Sequence, residues 1–102
     1  MQGKASDLIV IASATAAPGK EAQLEQALRE AAVPTRAQPG CVQFSLLRLR
    51  GSPATIIGFE RWASQDQHQR HLKSAYLQKL LERMTGILAG SPSIVMYEVI
   101  DE

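Results

Sequence analysis

Residues 59–81 read FERWASQDQHQRHLKSAYLQKLL, and the hydrophobic period changes within this stretch in a way that decides the fold. Upstream of the change, Ala54–Trp62 (ATIIGFERW) is rich in β-branched and aromatic residues and reads as a strand. Ala63-Ser64 ends it. Ser64 with Gln67 three residues on has the form of a capping box, so a helix starts here. A first helical piece is expected over Gln65–Leu72. Ser74 then caps a second piece, in which Leu77, Leu80, Leu81, Met84 and Leu88 recur at helical spacing. Gly90-Ser91-Pro92 stops that piece. Ser93–Ile100 (SIVMYEVI) alternates Val95, Tyr97 and Val99 with Met96 and Glu98, the pattern of a last strand.

The N-terminal half has the same grammar. Leu8–Thr15 (LIVIASAT) is β-branched and apolar on both faces, a strand ended by Pro18-Gly19. From Lys20, Leu24, Ala27, Leu28, Ala31 and Ala32 recur three and four residues apart, with Glu21, Glu25, Arg29 and Glu30 on the wet side. Pro34 is expected to kink or stop this helix near Val33, because proline has no N–H to give. Pro39-Gly40 is a turn, and Cys41–Arg50 (CVQFSLLRLR) a second strand. Its apolar parity switches at Leu46-Leu47, which predicts a bulge there or a strand covered on both faces. Gly51-Ser52-Pro53 connects it to Ala54–Trp62.

The order is β-α-β-β-α-β in one domain, 1–102: an α+β, ferredoxin-like arrangement with a four-stranded antiparallel sheet and the helices on one face. The strands are apolar on both faces, as at Ile9 and Ile11 against Leu8 and Val10. A lone subunit would expose a large apolar patch, so a homodimer packing sheet against sheet is expected.

Bulk properties narrow the function. A net charge of +1, with no basic stripe, argues against nucleic acid as a partner. The apolar run Leu8–Ala12 is flanked by Asp7 and reads as strand rather than secretory leader, and no run has the length of a membrane span. The single cysteine, Cys41, permits no internal disulfide and reads as a small hydrophobe. The expectation is a cytoplasmic protein with no membrane partner. No GxSxG, phosphate-cradling loop or dinucleotide fingerprint is present.

Four pieces in this order, IVIASATAAPGKEAQLEQAL, RAQPGCVQFSLLR, FERWASQDQHQRHLKSAYLQKLL and SIVMYEV, resemble the antibiotic biosynthesis monooxygenase family of dimeric α+β barrels. The most specific element is Glu60-x-Trp62 followed by Ser64, His71-Leu72 and Tyr76. The resemblance implies two ferredoxin-like subunits forming a barrel, with a pocket in each between sheet and helices. It also implies a small aromatic or carbonyl substrate. Members of the family include cofactor-independent oxygenases of polycyclic phenols and quinols, haem-degrading enzymes, and enzymes of small carbonyl signalling molecules. The haem-degrading pattern of Asn, Trp and His falls near Ala12, His71 and Leu81, and none of the three matches. The expectation is therefore no haem and no other cofactor, with molecular oxygen as co-substrate.

Candidate residues follow. His71 is read as the proton-handling group, since a neutral imidazole accepts a proton near neutral pH. Tyr76 is expected to orient the substrate through its hydroxyl. Trp62, Phe44 and Met96 are expected to form apolar walls, and Arg48 or Arg61 to stabilise anionic charge. Glu60 is expected to pair with Arg48, Arg50 or Arg61. His68, three residues before His71, is expected to be exposed, and HxxH alone does not make a metal site. An isomerase or degrading enzyme for a small carbonyl compound and a non-enzymatic binding dimer are the alternative readings.

Overall fold

The computed structural model describes residues 7–102. Residues 1–6, the beginning of the segment weighed as a leader, lie outside the described residues. The element order is β1 (Leu8–Thr15), α1 (Glu21–Arg36), β2 (Cys41–Arg48), β3 (Thr55–Trp62), α2 (Gln65–Leu72), α3 (Ala75–Met84) and β4 (Ser93–Glu98). The strands form one antiparallel sheet in the order β2-β3-β1-β4, the ferredoxin-like topology.

Strand register determines which residues share a face. Val10 stands opposite Glu60 and Met96, Ala12 opposite Gly58 and Ile94, and Phe44 opposite Glu60. Directly paired residues point the same way, so these form the face beneath the helices. Ile9, Ile11, Phe59, Val95 and Tyr97 form the other face. The core lies on the helix side, around Ala14, Leu24, Ile56, Met84 and Ile87, with Leu28 and Leu80 packed against it.

Helix α1 does not stop at Val33. It runs to Arg36 with Pro34 inside its last turn. So near the C-terminus the missing N–H removes the helical donor only for the carbonyl of exposed Glu30. Next to it, the Thr35 hydroxyl donates to the Ala31 carbonyl at 2.8 Å. The β2 irregularity is not at Leu46-Leu47 either. The register shifts between Cys41 and Gln43, and Leu46 and Leu47 simply point to opposite apolar faces. The shift brings Cys41 opposite Trp62, on the helix side.

The break between α2 and α3 falls where two serines cap. Ser64 Oγ accepts from the Gln67 backbone N–H, and Ser74 Oγ from that of Leu77. Helix α3 ends at Met84, before Leu88, which bridges to Ala16 instead. β2 and β4 are each two residues shorter than the alternation suggested, ending at Arg48 and Glu98. Among the described residues, no helix is long and apolar enough to cross a membrane.

Candidate active site

The end of β3 sets the site. Alternation turns Glu60 and Trp62 beneath the helices and Arg61 to the opposite face. Trp62 is fully buried, and its Nε1–H donates to Glu60 Oε1 at 2.9 Å. Glu60 is only 6% exposed. Among the described residues no cationic side chain forms a salt bridge with it, contrary to the expected arginine pair. Arg61 instead pairs with Asp7 at 2.8 Å and with Glu102 at 2.6 Å. Burial therefore raises the Glu60 pKa, and the Trp62 bond opposes this with a smaller effect.

Helix α2 lays two histidines over this pair. Three residues apart, His68 and His71 share one face. His68 is 1% exposed, so the expectation that it faces solvent is wrong: the face carrying His71 is the face packed on the sheet. The His71 ring stacks on Trp62 with centroids 4.9 Å apart and planes at 28°. Its Nδ1 lies 2.7 Å from Tyr76 Oη, which α3 supplies. His68 Nδ1 is buried with no hydrogen-bond partner among the described residues.

Burial, and secondarily His68, push the His71 pKa from its usual 6.5 down to about 4. Burial also lowers the His68 pKa and raises that of Tyr76, the latter against the Thr35 and Ser74 hydroxyls. At neutral pH, His71 and Tyr76 are thus both uncharged. When His71 Nδ1–H donates to the Tyr76 oxygen, Nε2 keeps its lone pair and can accept a proton. Tyr76 is then the partner that selects the tautomer.

This depressed pKa has a measurable consequence. His71 titrates near 6.5 when unfolded and at about 4 in the fold, so between these values the unfolded chain binds more protons. Its contribution to stability is complete above that window and is lost as the pH falls through it, with a slope of at most about 1.4 kcal/mol per pH unit. Glu60, whose pKa is raised, acts with the opposite sign where its folded and unfolded values differ. The measure is therefore the difference between the parent and His71→Gln: urea midpoints of the parent, relative to those of the variant, should fall from pH 7 to pH 5. His68, present in both proteins, contributes with the sign of His71 and cancels from this comparison.

Glu60, His68 and His71, with Ser13 and Thr35, are the polar residues lining a cavity of about 290 Å³ between sheet and helices. Its other walls are mainly apolar and include Phe44, Leu77, Leu80 and Leu81, while Ala12, Ala31 and Gly58 keep it open. The size is at the lower end of the ~300–1,000 Å³ typical of ligand sites and suits a ligand of one or two rings. Among the described residues, the lining contains no Lys or Arg.

The candidate residues therefore divide. His71, Tyr76 and Trp62 come together, with Phe44 on the cavity wall; Trp62 and Tyr76, the latter expected to reach the substrate, both stand behind His71 rather than in the lining. Met96, on edge strand β4, is 46% exposed and does not line the cavity. Arg48 ion-pairs with Glu25 in a separate groove between α1 and β2, and Arg61 is on the far face. The sequence reading missed His68 as a buried cavity residue and Glu60 as the acceptor for Trp62. Their spacings, i,i+3 from His71 and i,i+2 from Trp62, are the signals that place them. Among the described residues, no three His, Cys, Asp or Glu side chains are grouped to hold a metal ion.

A small α+β domain with a mostly apolar cavity and, on its wall, an imidazole backed by a phenol defines the class. The family model described as antibiotic biosynthesis monooxygenase matches residues 7–83, and the chain belongs to that family. PA3566 from Pseudomonas aeruginosa has a similar structure, with a TM-score of 0.88 and 27% identity over 94% of this chain and 96% of that one. Rv0793 from Mycobacterium tuberculosis superposes with a TM-score of 0.89 at 24% identity, covering 95% and 98% of the two chains. The protein sll1783 from Synechocystis is 20% identical over 99 residues, which span 97% of this chain and 67% of that one.

Proposed function

We propose that the chain is a cofactor-independent monooxygenase that oxidises a small phenol or quinol in the cavity between sheet and helices. The observation that carries this reading is the neutral His71, hydrogen-bonded to Tyr76, on the wall of a mainly apolar cavity. A phenol does not react with O₂ readily until it becomes an electron-rich anion. His71 accepts the phenolic proton, and the phenolate supplies the electrons that reduce O₂. A C–O bond forms at the para carbon, the para C–H proton leaves and the O–O bond breaks. The products are a quinone and water, with one oxygen atom of O₂ in each.

Energetics permit this step. Transfer from a phenol of ordinary pKa ~10 to an imidazole at about 4 costs ~8 kcal/mol before the attraction of the resulting ion pair is counted. A turnover of ~1 per second corresponds to a barrier of ~17 kcal/mol, so the transfer fits beneath it. It also favours more acidic phenols. The test is oxygen uptake with a naphthol whose para carbon is free. Uptake matched by naphthoquinone supports the reading. Turnover of a carbonyl compound without oxygen would point to isomerase chemistry instead, and stabilisation by ligand without turnover to a binding protein.

The proposal includes a homodimer. Away from the helices, Tyr97 stands opposite Ile9, and Val95 opposite Ile11. Val95 is 43% exposed and Tyr97 48%. An apolar face of this kind is what a second copy of the sheet would cover. Val95→Glu with Tyr97→Glu should convert a dimeric mass to a monomeric one in solution. A monomeric mass for the unaltered chain at micromolar concentration would refute this part.

A further inference from the structure

We propose that Glu60 binds the ligand as a neutral carboxylic acid, its Oε2–H donating to a carbonyl or phenolate oxygen. The inference rests on the cavity of the proposed function being the ligand site. Three geometric observations point to it. First, Trp62 Nε1–H occupies Oε1, which leaves Oε2 as the oxygen free to carry a proton. Second, Oε2 faces the one cavity-wall position in β3 that has no side chain. A Cβ built at Gly58 would lie 3.6 Å from Oε2 and 3.6 Å from the Phe44 ring, and all three residues line the cavity. Third, His68 lines the same cavity, and its Nδ1 is buried without a hydrogen-bond partner among the described residues. A buried polar atom left so is costly.

Electrostatics agree with the geometry. Among the described residues no Lys or Arg lines the cavity, so no cation there favours a carboxylate, and the Trp62 N–H opposes burial only in part. Burial raises the Glu60 pKa. An apolar site that holds a carboxylic acid neutral lets it donate a hydrogen bond to developing negative charge. The other titratable groups facing Glu60 are His68 and His71 on α2, Tyr76 on α3 and Cys41 on β2. β1 brings Val10, and α1 brings Thr35. Glu60 thus supplies, as an acid proton, the anion stabilisation that the sequence reading sought in Arg48 or Arg61.

The experiment is binding of naphthoquinone to the full chain, followed by fluorescence of Trp62 and by difference infrared spectroscopy. With carboxyl-labelled Glu60, a protonated-acid band should be present at pH 7 and should shift when naphthoquinone binds. Glu60→Gln keeps an acceptor for Trp62 and an N–H donor for the ligand, so its affinity should lie within ~2-fold of the parent. Glu60→Ala should bind ~10-fold more weakly. If the alanine variant does not fold, the Glu60→Gln comparison and the infrared band still decide. An ionised carboxylate at pH 7 in both free and bound protein would overturn the proposal, and so would undiminished affinity in a folded Glu60→Ala. Neither readout needs oxygen. Glu60-dependent binding without oxygen uptake retires the monooxygenase reading alone. Oxygen uptake that is indifferent to Glu60 retires this inference alone.

Discussion

His71→Ala should reduce oxygen-dependent turnover of a phenol by ~10²–10⁴-fold, the usual contribution of a positioned general base. The imidazole is held by a stack on Trp62 at 4.9 Å and by the Tyr76 hydroxyl at 2.7 Å. Neither contact belongs to the exposed sheet face, so the mass in solution should not change. Tyr76→Phe should have a smaller effect, because it frees the tautomer without removing the base. Lost in that variant is the acceptor that keeps the proton on Nδ1. Oxygen-electrode rates for the two variants, with size-exclusion masses alongside, check the result. Equal rates for His71→Ala and the parent would remove His71 from the chemistry.

Trp62→Ala should be the most destabilising single change in the site. The side chain is fully buried, donates to Glu60 and stacks on His71. Truncating a buried Trp to Ala costs about 3–5 kcal/mol, against about 5–15 kcal/mol for the whole stability of a typical domain. Loss of the N–H also removes the hydrogen bond that it donates to the Glu60 carboxyl. Trp62→Phe separates the two effects. It retains most of the packing and should lose about 1–3 kcal/mol, the cost of a buried polar group left without its partner. Chemical denaturation of both variants measures the difference. A Trp62→Ala variant as stable as the parent would mean that this ring does not hold the site together.

Much of this was legible in residues 59–81. A strand that alternates must send Glu60 and Trp62 to one side, and serines followed by helical spacing mark where α2 and α3 begin. The meeting of His71 with Tyr76 follows from the short turn between those helices. What stayed hidden depends on neighbours far away in the chain. Whether His68 points to solvent or sheet depends on which face of α2 the sheet covers. The partners of the arginines depend on cross-strand register and on the C-terminal segment that brings Glu102 to Arg61. Pro34 obeys its local rule only in part, because the rule is stringent in a helix interior and weak in a last turn. Met96 has the right parity for the helix-side face, but its strand lies at the sheet edge, where it stays half-exposed.

The central claim is that the chain uses O₂ directly, through a substrate anion made by His71. The most direct measurement supplies isotopically heavy O₂ and a para-unsubstituted naphthol in the presence of a chelator. The account predicts one heavy atom in the quinone, the other in water, and loss of both in His71→Ala. Unlabelled quinone, or turnover that continues without O₂, would contradict it.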